Sequence, residues 1–103
     1  MSKFITVVNY SKISEFITTL EKDKEIYLNL NGVFFYSEGV RYLSQESTYK
    51  YFLYMCEENN VPIYVCINSI RKRKIQNLNP YIKITGLAIL MEGVISSDQN
   101  IVF

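Results

Sequence analysis

Hydrophobic residues in this chain alternate between short apolar runs and stripes at helical spacing. Phe4–Val8 and Val61–Ile67 are β-branched and aromatic runs typical of buried strands. Ile13, Phe16 and Leu20 recur at the spacing of an amphipathic helix. The same reasoning predicts further strands over Ile26–Tyr36, Tyr81–Thr85 and Asn100–Phe103, a turn and short helix from Ser37, and helices over Glu46–Glu58, Ser69–Ile75 and Gly86–Val94. This alternation predicts an α/β domain with a mainly parallel sheet and right-handed crossovers.

Local signals refine three of these elements. Asn31-Gly32 interrupts the second predicted strand, which we therefore expect to be kinked or bulged at the glycine. Ser11 or Ser14 is expected to cap the first helix. The helix Glu46–Glu58 is expected to bury one face, and its apolar residues on that face are Tyr49, Phe52, Leu53 and Cys56.

Composition and charge narrow the class of protein. The chain has 103 residues, of which 49% are hydrophobic and 20% charged, as in a single globular domain covering residues 1–103. Its formal net charge of +1 gives no global attraction to nucleic acid or to an anionic membrane. No apolar run approaches the ~20 residues of a membrane span. Met1-Ser2-Lys3 leads directly into a strand, which does not resemble a signal peptide, so we expect a cytoplasmic protein.

The chain contains two cysteines, Cys56 and Cys66, and no histidine. A disulfide framework is not expected in a cytoplasmic protein. Two thiols without histidine are too few for a structural zinc site, and neither a metal nor a cofactor is expected. Activation of a thiol by histidine is also excluded. Cys56 lies on the inward face of its predicted helix, where core packing explains it.

Cys66 is the main candidate for chemistry because it lies at the end of the third predicted strand. Ligands collect at the carboxyl ends of strands in open α/β sheets. Asn68 and Ser69 are expected to cap the following helix, whose start would favour a thiolate. We therefore expect the Cys66 thiol to be accessible and close to cations. The alternative is a small buried hydrophobic residue.

A run of four cations follows Cys66: Arg71, Lys72, Arg73 and Lys74. These side chains could form a solvated helix face, which is the usual role of a charge run. They could instead hold the thiolate and attract an acidic carrier protein, or bind tRNA phosphates. No exposed aromatic residues are interleaved with them, so docking of a carrier is favoured over direct contact with nucleic acid.

Three stretches resemble the DsrE/DsrF-like sulfur-relay family, and within it the branch of the sulfurtransferase subunit TusD. Val33–Val40 is similar to the family's second strand and following turn. Tyr64–Ile67 with the basic run is similar to its cysteine strand and the next helix. Thr85–Glu92 followed by Ser97–Phe103 is similar to its last helix and strand. The resemblance implies a flavodoxin-like, three-layer α/β domain of the DsrE type, with about five strands.

The resemblance also implies an activity and partners. It implies a sulfurtransferase that carries a persulfide on Cys66 between an upstream and a downstream sulfur-carrier protein. In the TusD branch the sulfur is destined for 2-thiouridine at the tRNA wobble position, and in the DsrE branch the relay serves sulfur oxidation. The expected partners are related subunits of the TusB and TusC types in a hetero-oligomer, with neither direct nucleic-acid binding nor a membrane.

Two other functions stay open from the sequence. The chain could be a non-catalytic structural subunit of the same assembly, in which Cys66 is incidental. It could also be a small nucleic-acid-binding module that uses the basic run. Tyr49, Tyr51 and Tyr54 cannot all face inward on one helix, so some of them are candidates for a subunit interface.

Overall fold

Five short strands form one sheet at the centre of the protein, which is described by a computed structural model covering residues 1–103. The strands are β1 (Lys3–Val7), β2 (Leu30–Phe35), β3 (Ile63–Cys66), β4 (Ile82–Thr85) and β5 (Gln99–Val102). Their order in the sheet is β4-β3-β2-β1-β5, and every neighbouring pair is parallel. The carboxyl ends of all strands therefore lie at one edge of the sheet.

Helical segments connect the strands. The α-helices are α1 (Ile13–Lys22), α2 (Glu46–Glu58), α3 (Ile67–Lys72) and α4 (Leu87–Ser96). Three 3₁₀ helices complete the connections, at Tyr10–Lys12, Lys24–Asn29 and Ser37–Leu43. None of these helices combines the length and the apolar character that a membrane crossing requires.

The two faces of the sheet carry unequal cores because side chains alternate along each strand. One face packs against α1 and α2 in a cluster of 21 buried residues, which includes Phe16, Phe35 and Phe52. The other face holds only Phe4, Phe34 and Cys66 as buried hydrophobic residues, with partly buried residues of α4 packed against them. Cys66 thus belongs to the smaller core.

The α/β class and the parallel five-stranded sheet are confirmed. The helix Glu46–Glu58 has the predicted bounds and buries the predicted face. The expected bulge is also present, because β1 pairs Lys3 with Leu30 and Phe4 with Gly32, which leaves Asn31 unpaired in this register. The strand order differs from the 2-1-3-4-5 order of flavodoxin, so the likeness to flavodoxin concerns the layers and not the order of strands.

Three local predictions are wrong. Residues 26–29, expected as strand, belong to a 3₁₀ helix, because β1 begins at Lys3 and offers no partner beyond Leu30. Neither Ser11 nor Ser14 caps α1. Its N-cap is Lys12, the last residue of the preceding 3₁₀ helix. The third helix begins at Ile67 instead of Ser69.

Candidate functional site

Cys66 occupies the junction between β3 and α3 at the carboxyl edge of the sheet. It pairs with Thr85 in the sheet and is also the N-cap of α3. Its side chain is only 2% exposed, because it points to the face where Phe4 and Phe34 pack under α4. The openly accessible thiol that the sequence predicts is therefore not present in this conformation.

A solvent-open cavity nevertheless borders Cys66. Its wall combines Cys66 with polar and charged residues of the adjoining elements: Tyr36, Ser37, Asn68, Ser69, Lys72, Arg73 and Leu87. The cavity has a volume of about 220 Å³ and opens at the carboxyl edge of the sheet. Cys66 thus lies between the small apolar core and a polar cavity.

Arg73 fastens one wall of this cavity. Its guanidinium donates to the carboxylate of Glu38, to the backbone carbonyl of Ser69 at 3.2 Å and to the hydroxyl of Ser37 at 3.5 Å. The Arg73 side chain is only 15% exposed. Because its donors are engaged within the protein, Arg73 is a structural tie between α3 and the Ser37–Leu43 helix, and it is not a free cation.

Hydrogen bonds from Arg73 and to Ser69 hold Ser37 in a backbone conformation that would otherwise be unfavourable. Ser37 has a φ of 55°, in the left-handed region that non-glycine residues rarely adopt. Its N–H donates to the hydroxyl of Ser69 at 2.9 Å. Two positions later, a Cβ at Gly39 would overlap the carbonyl group of Val7, so only glycine allows this turn to approach β1.

The structure separates the predicted site residues into different roles. Lys72 and Asn68 line the cavity with Cys66, whereas Arg71 and Lys74 are exposed beyond it. Asn68 and Ser69 do not cap α3, because the helix starts one residue after Cys66 and encloses both in its first turn. Ser69 instead accepts the hydrogen bond from Ser37.

Sequence reasoning did not assign a role to Ser37, Glu38 or Leu87, all of which bear on the site. Ser37 and Leu87 line the cavity, and Glu38 accepts from Arg73 and, at 3.2 Å, from Arg41. The only sequence signal for them was the Ser37-Glu38-Gly39 turn that follows a buried strand. Such turns lie at the carboxyl edge of a parallel sheet, where they can meet the cysteine strand.

Cys56 lies in a different environment. It is buried within α2 in the larger core, on the opposite face of the sheet from Cys66, and both thiols are free. Burial, with a smaller contribution from the carboxylate of Glu57, raises the pKa of the Cys56 thiol far above its ordinary value. Cys56 therefore stays protonated and belongs to the core.

The sequence model of the DsrE/DsrF-like family matches residues 6–103. The chain belongs to the DsrE/DsrF-like family. Proteins of this DsrE/DsrF-like family are associated with sulfur relay, which agrees with the class of function that the sequence suggests. The match extends over every strand and helix except the first residues of β1.

Two solved structures show the same fold as this DsrE/DsrF-like chain. The ychN protein from E. coli superposes with a TM-score of 0.70 at 21% sequence identity, and each chain is covered over 100% of its length. MTH1491 from Methanobacterium thermoautotrophicum, a protein described as of unknown function, superposes with a TM-score of 0.73 at 15% identity, again over 100% of both chains. No curated protein matches this sequence.

Proposed function

We propose that this protein is the persulfide-carrying subunit of a sulfur relay and that Cys66 carries the sulfur. The observation that supports this assignment is that Cys66 and Lys72 line the same polar, open cavity. Membership of a family associated with sulfur relay supports it independently. Cys56 cannot substitute for it, since it is enclosed in the larger core.

The proposed step is an exchange of one sulfur atom between thiols. The Cys66 thiolate attacks the outer sulfur of a donor persulfide, the donor's S–S bond breaks, and the donor leaves as a thiolate. A new S–S bond then joins the transferred sulfur to Cys66, so no external oxidant or reductant is needed. In the second step an acceptor thiolate attacks the outer sulfur on Cys66 in the same way, and Cys66 leaves as a thiolate. Lys72, which lines the same cavity, is proposed to offset the negative charge in both steps.

The donor and the acceptor are proposed to be carrier proteins that dock at the exposed cations Arg71, Lys72 and Lys74. Arg73 is excluded from this docking set because Glu38 engages it. Three exposed cations attract an acidic protein surface, but they form a small patch for a nucleic acid. Docking should therefore weaken as the salt concentration rises.

The wider setting follows the TusD branch of the family. We propose a cytoplasmic assembly with related subunits of the TusB and TusC types, which delivers sulfur to 2-thiouridine at the tRNA wobble position. Quantification of 2-thiouridine in tRNA from cells that lack the protein separates this pathway from sulfur oxidation. An unchanged content of the modified nucleoside would point to sulfur oxidation.

The proposal predicts that sulfur is trapped on one of the two cysteines. After incubation with glutathione persulfide and alkylation, mass spectrometry of peptides should find one extra sulfur atom on Cys66 and none on Cys56. Cys56→Ser should keep the labelling, because that thiol is buried, and Cys66→Ser should abolish it. The absence of extra sulfur on Cys66 in the folded wild-type protein would refute the carrier role.

A specific observation favours a second candidate function, that of a non-catalytic structural subunit. The Cys66 side chain is 98% enclosed in the resting conformation, which suits a packing role. The two functions differ in the behaviour of Cys66→Ser within the assembly. A structural subunit would support sulfur transfer with serine at this position, whereas the carrier function requires the thiol.

A further inference from the structure

A second cavity lies on the face of the sheet opposite Cys66. It is enclosed by α1, the Lys24–Asn29 helix, the Ser37–Leu43 helix and α2, and its volume is about 140 Å³. Ile17, Leu20 and Phe52 form its apolar wall. A cavity of about 150 Å³ with comparable apolar walls admits benzene, so one six-membered ring fits here.

Two tyrosine hydroxyls face this cavity without partners. Tyr27 is 3% exposed and Tyr42 is 4% exposed, yet neither hydroxyl makes a hydrogen bond within the protein. Two other tyrosines have partners: the hydroxyl of the buried Tyr49 accepts from the N–H of Asn79, and the hydroxyl of the half-buried Tyr81 donates to the carbonyl of Val61 at 2.6 Å. Every fully enclosed side-chain oxygen in the protein has a hydrogen-bond partner. Since the Tyr27 and Tyr42 hydroxyls have no partner, they must border open space. The cavity that both residues line supplies that space.

The chemistry of the hydroxyls indicates what they would bind. Burial raises the pKa of Tyr42 to about 12 and raises the pKa of Tyr27 further, so both groups stay protonated and can donate. Water in the cavity can hydrogen-bond to these hydroxyls, and a ligand with an acceptor atom can replace that water without loss of the hydrogen bonds.

Charged groups at the rim of the cavity determine which ligand charge it can accept. Glu21 lines the cavity and lies near enough to both hydroxyls to oppose an anion beside them. Lys24 also lines the cavity, but its ammonium group lies 5.8 Å from the ring centre of Tyr51, above an exposed aromatic face. The cavity therefore suits a neutral acceptor more than a carboxylate.

We propose that this cavity binds a small neutral ligand, one aromatic ring in size, whose carbonyl oxygen accepts hydrogen bonds from Tyr27 and Tyr42. The site is independent of the sulfur chemistry proposed for Cys66. The apolar walls hold the ring, and the two hydroxyls orient the carbonyl group. A ring without an acceptor would leave both hydroxyls unsatisfied and would bind more weakly.

The test uses three probes of nearly equal size on the full chain. Benzamide, toluene and benzoate are titrated separately while ¹H–¹⁵N chemical shifts are recorded. We expect saturable shifts with benzamide that centre on the residues lining the cavity. Toluene should bind roughly tenfold more weakly, since it lacks the acceptor. Benzoate should also bind more weakly than benzamide, because Glu21 opposes its charge.

Variants separate the hydroxyls from the cavity itself. Tyr27→Phe with Tyr42→Phe should weaken benzamide binding to the level of toluene without lowering Tm, because each change removes a hydroxyl that has no protein partner. Tyr54→Phe, an exposed position on α2, is the matched control and should change nothing. If the double variant fails to fold, the two single variants provide the same comparison.

Three results would overturn this inference. The first is the absence of saturable shifts with benzamide in the folded wild-type protein. The second is equal benzamide binding by the wild-type protein and by the folded tyrosine variants, since the hydroxyls would then play no part. The third is benzoate binding as tight as benzamide binding, which would contradict the preference for a neutral acceptor.

Discussion

At the scale of single residues, the Glu38 carboxylate shows how the thiol site is held in place. Hydrogen bonding to Arg73, assisted by the nearby guanidinium of Arg41, keeps the pKa of the Glu38 carboxyl below its ordinary value. The ionised form therefore stabilises the folded state. This contribution is complete above the ordinary pKa of the carboxyl and is lost as the pH falls through the lowered pKa of the folded state.

The first prediction concerns Glu38→Gln. At pH 7 this variant should have a Tm lower by a few degrees, because it loses the charged partner of Arg73. Near pH 3, below the ordinary pKa of the carboxyl, the difference should shrink, because protonation of Glu38 then favours the unfolded wild-type chain. Thermal unfolding of both proteins at the two pH values measures the effect. Glu58→Gln serves as the control, because Glu58 is exposed and lies outside the three ion pairs, so its Tm should match the wild type.

A difference in Tm between wild type and Glu38→Gln that is equally large at both pH values would contradict this explanation. Asp98 has a lowered pKa as well, because the backbone N–H and hydroxyl of Ser2 donate to it. Its titration destabilises wild type and variant alike on acidification. It therefore cancels from the comparison.

The sequence was informative about Cys66 and less informative about its surroundings. A cysteine after a buried strand can be placed at the carboxyl edge of the sheet because strand ends are local features. The pairing of Arg73 with Glu38 joins residues 35 positions apart and depends on how the turn after β2 meets α3. The burial of Cys66 under α4 depends likewise on an element that follows it by some twenty residues.

At the scale of elements, α4 is the cover of the Cys66 thiol. None of its residues is fully buried, and only Ile89 and Leu90 pack against the small core around Phe4. Close packing depends on Gly93, where a Cβ would overlap the ring of Phe4. A helix held by so few contacts opens more readily than α1 or α2, which line the larger core.

The second prediction follows from this packing. Gly93→Ala should displace α4 and raise the rate of Cys66 alkylation by iodoacetamide roughly tenfold, because overpacking costs about 1–3 kcal/mol. The gain in helix propensity is at most about 1 kcal/mol, which does not offset overlap with the buried Phe4 ring. Gly86→Ala is the matched control, since a Cβ there meets no atom within 4 Å.

Alkylation rates distinguish α4 from the cavity as the route to the thiol. Equal rates for wild type and a folded Gly93→Ala variant would show that reagents reach Cys66 without displacement of α4. The cavity lined by Lys72 would then be the sole entrance.

The helices and strands differ in how far the sequence determined them. The bounds of α2 could be predicted because its apolar face and its Asn59-Asn60 end are local signals. Residues 26–29 alternate like a strand, but an extended segment is stable only beside a partner, and β1 is too short to pair with them. The order of the strands could not be predicted from the sequence either, because it depends on long-range pairing.

At the scale of the whole molecule, α4 presents an apolar stripe to solvent. Leu87, Met91 and Ile95 are spaced four residues apart, and they are 45%, 63% and 79% exposed. Ile84 at the edge of the sheet is exposed near the start of this helix. Contiguous apolar surface of this kind is typical of subunit interfaces. Leu87 also lines the Cys66 cavity, so an interface on α4 would adjoin the proposed site.

The third prediction concerns assembly with a second copy or a related subunit through this stripe. We expect the wild-type protein to assemble through this stripe and Met91→Lys to be a monomer of 12.1 kDa, because a charge in the centre of an apolar interface is costly. Light scattering after size-exclusion chromatography measures the mass. Tyr54→Lys lies on α2, on the other side of the sheet. It tests the alternative interface that the sequence suggested at the tyrosines of α2. Loss of the assembly in Tyr54→Lys alone would place the interface on α2 instead.

The position of β1 between β2 and β5 has a consequence for synthesis of the protein. One neighbour of β1 is made within the first 35 residues, but the other comprises Gln99–Val102. On the ribosome, one edge of β1 therefore stays unpaired until Gln99–Val102 has emerged. Nascent chains stalled before residue 99 would expose a hydrogen-bonding edge that favours aggregation, and they would depend on chaperones for protection.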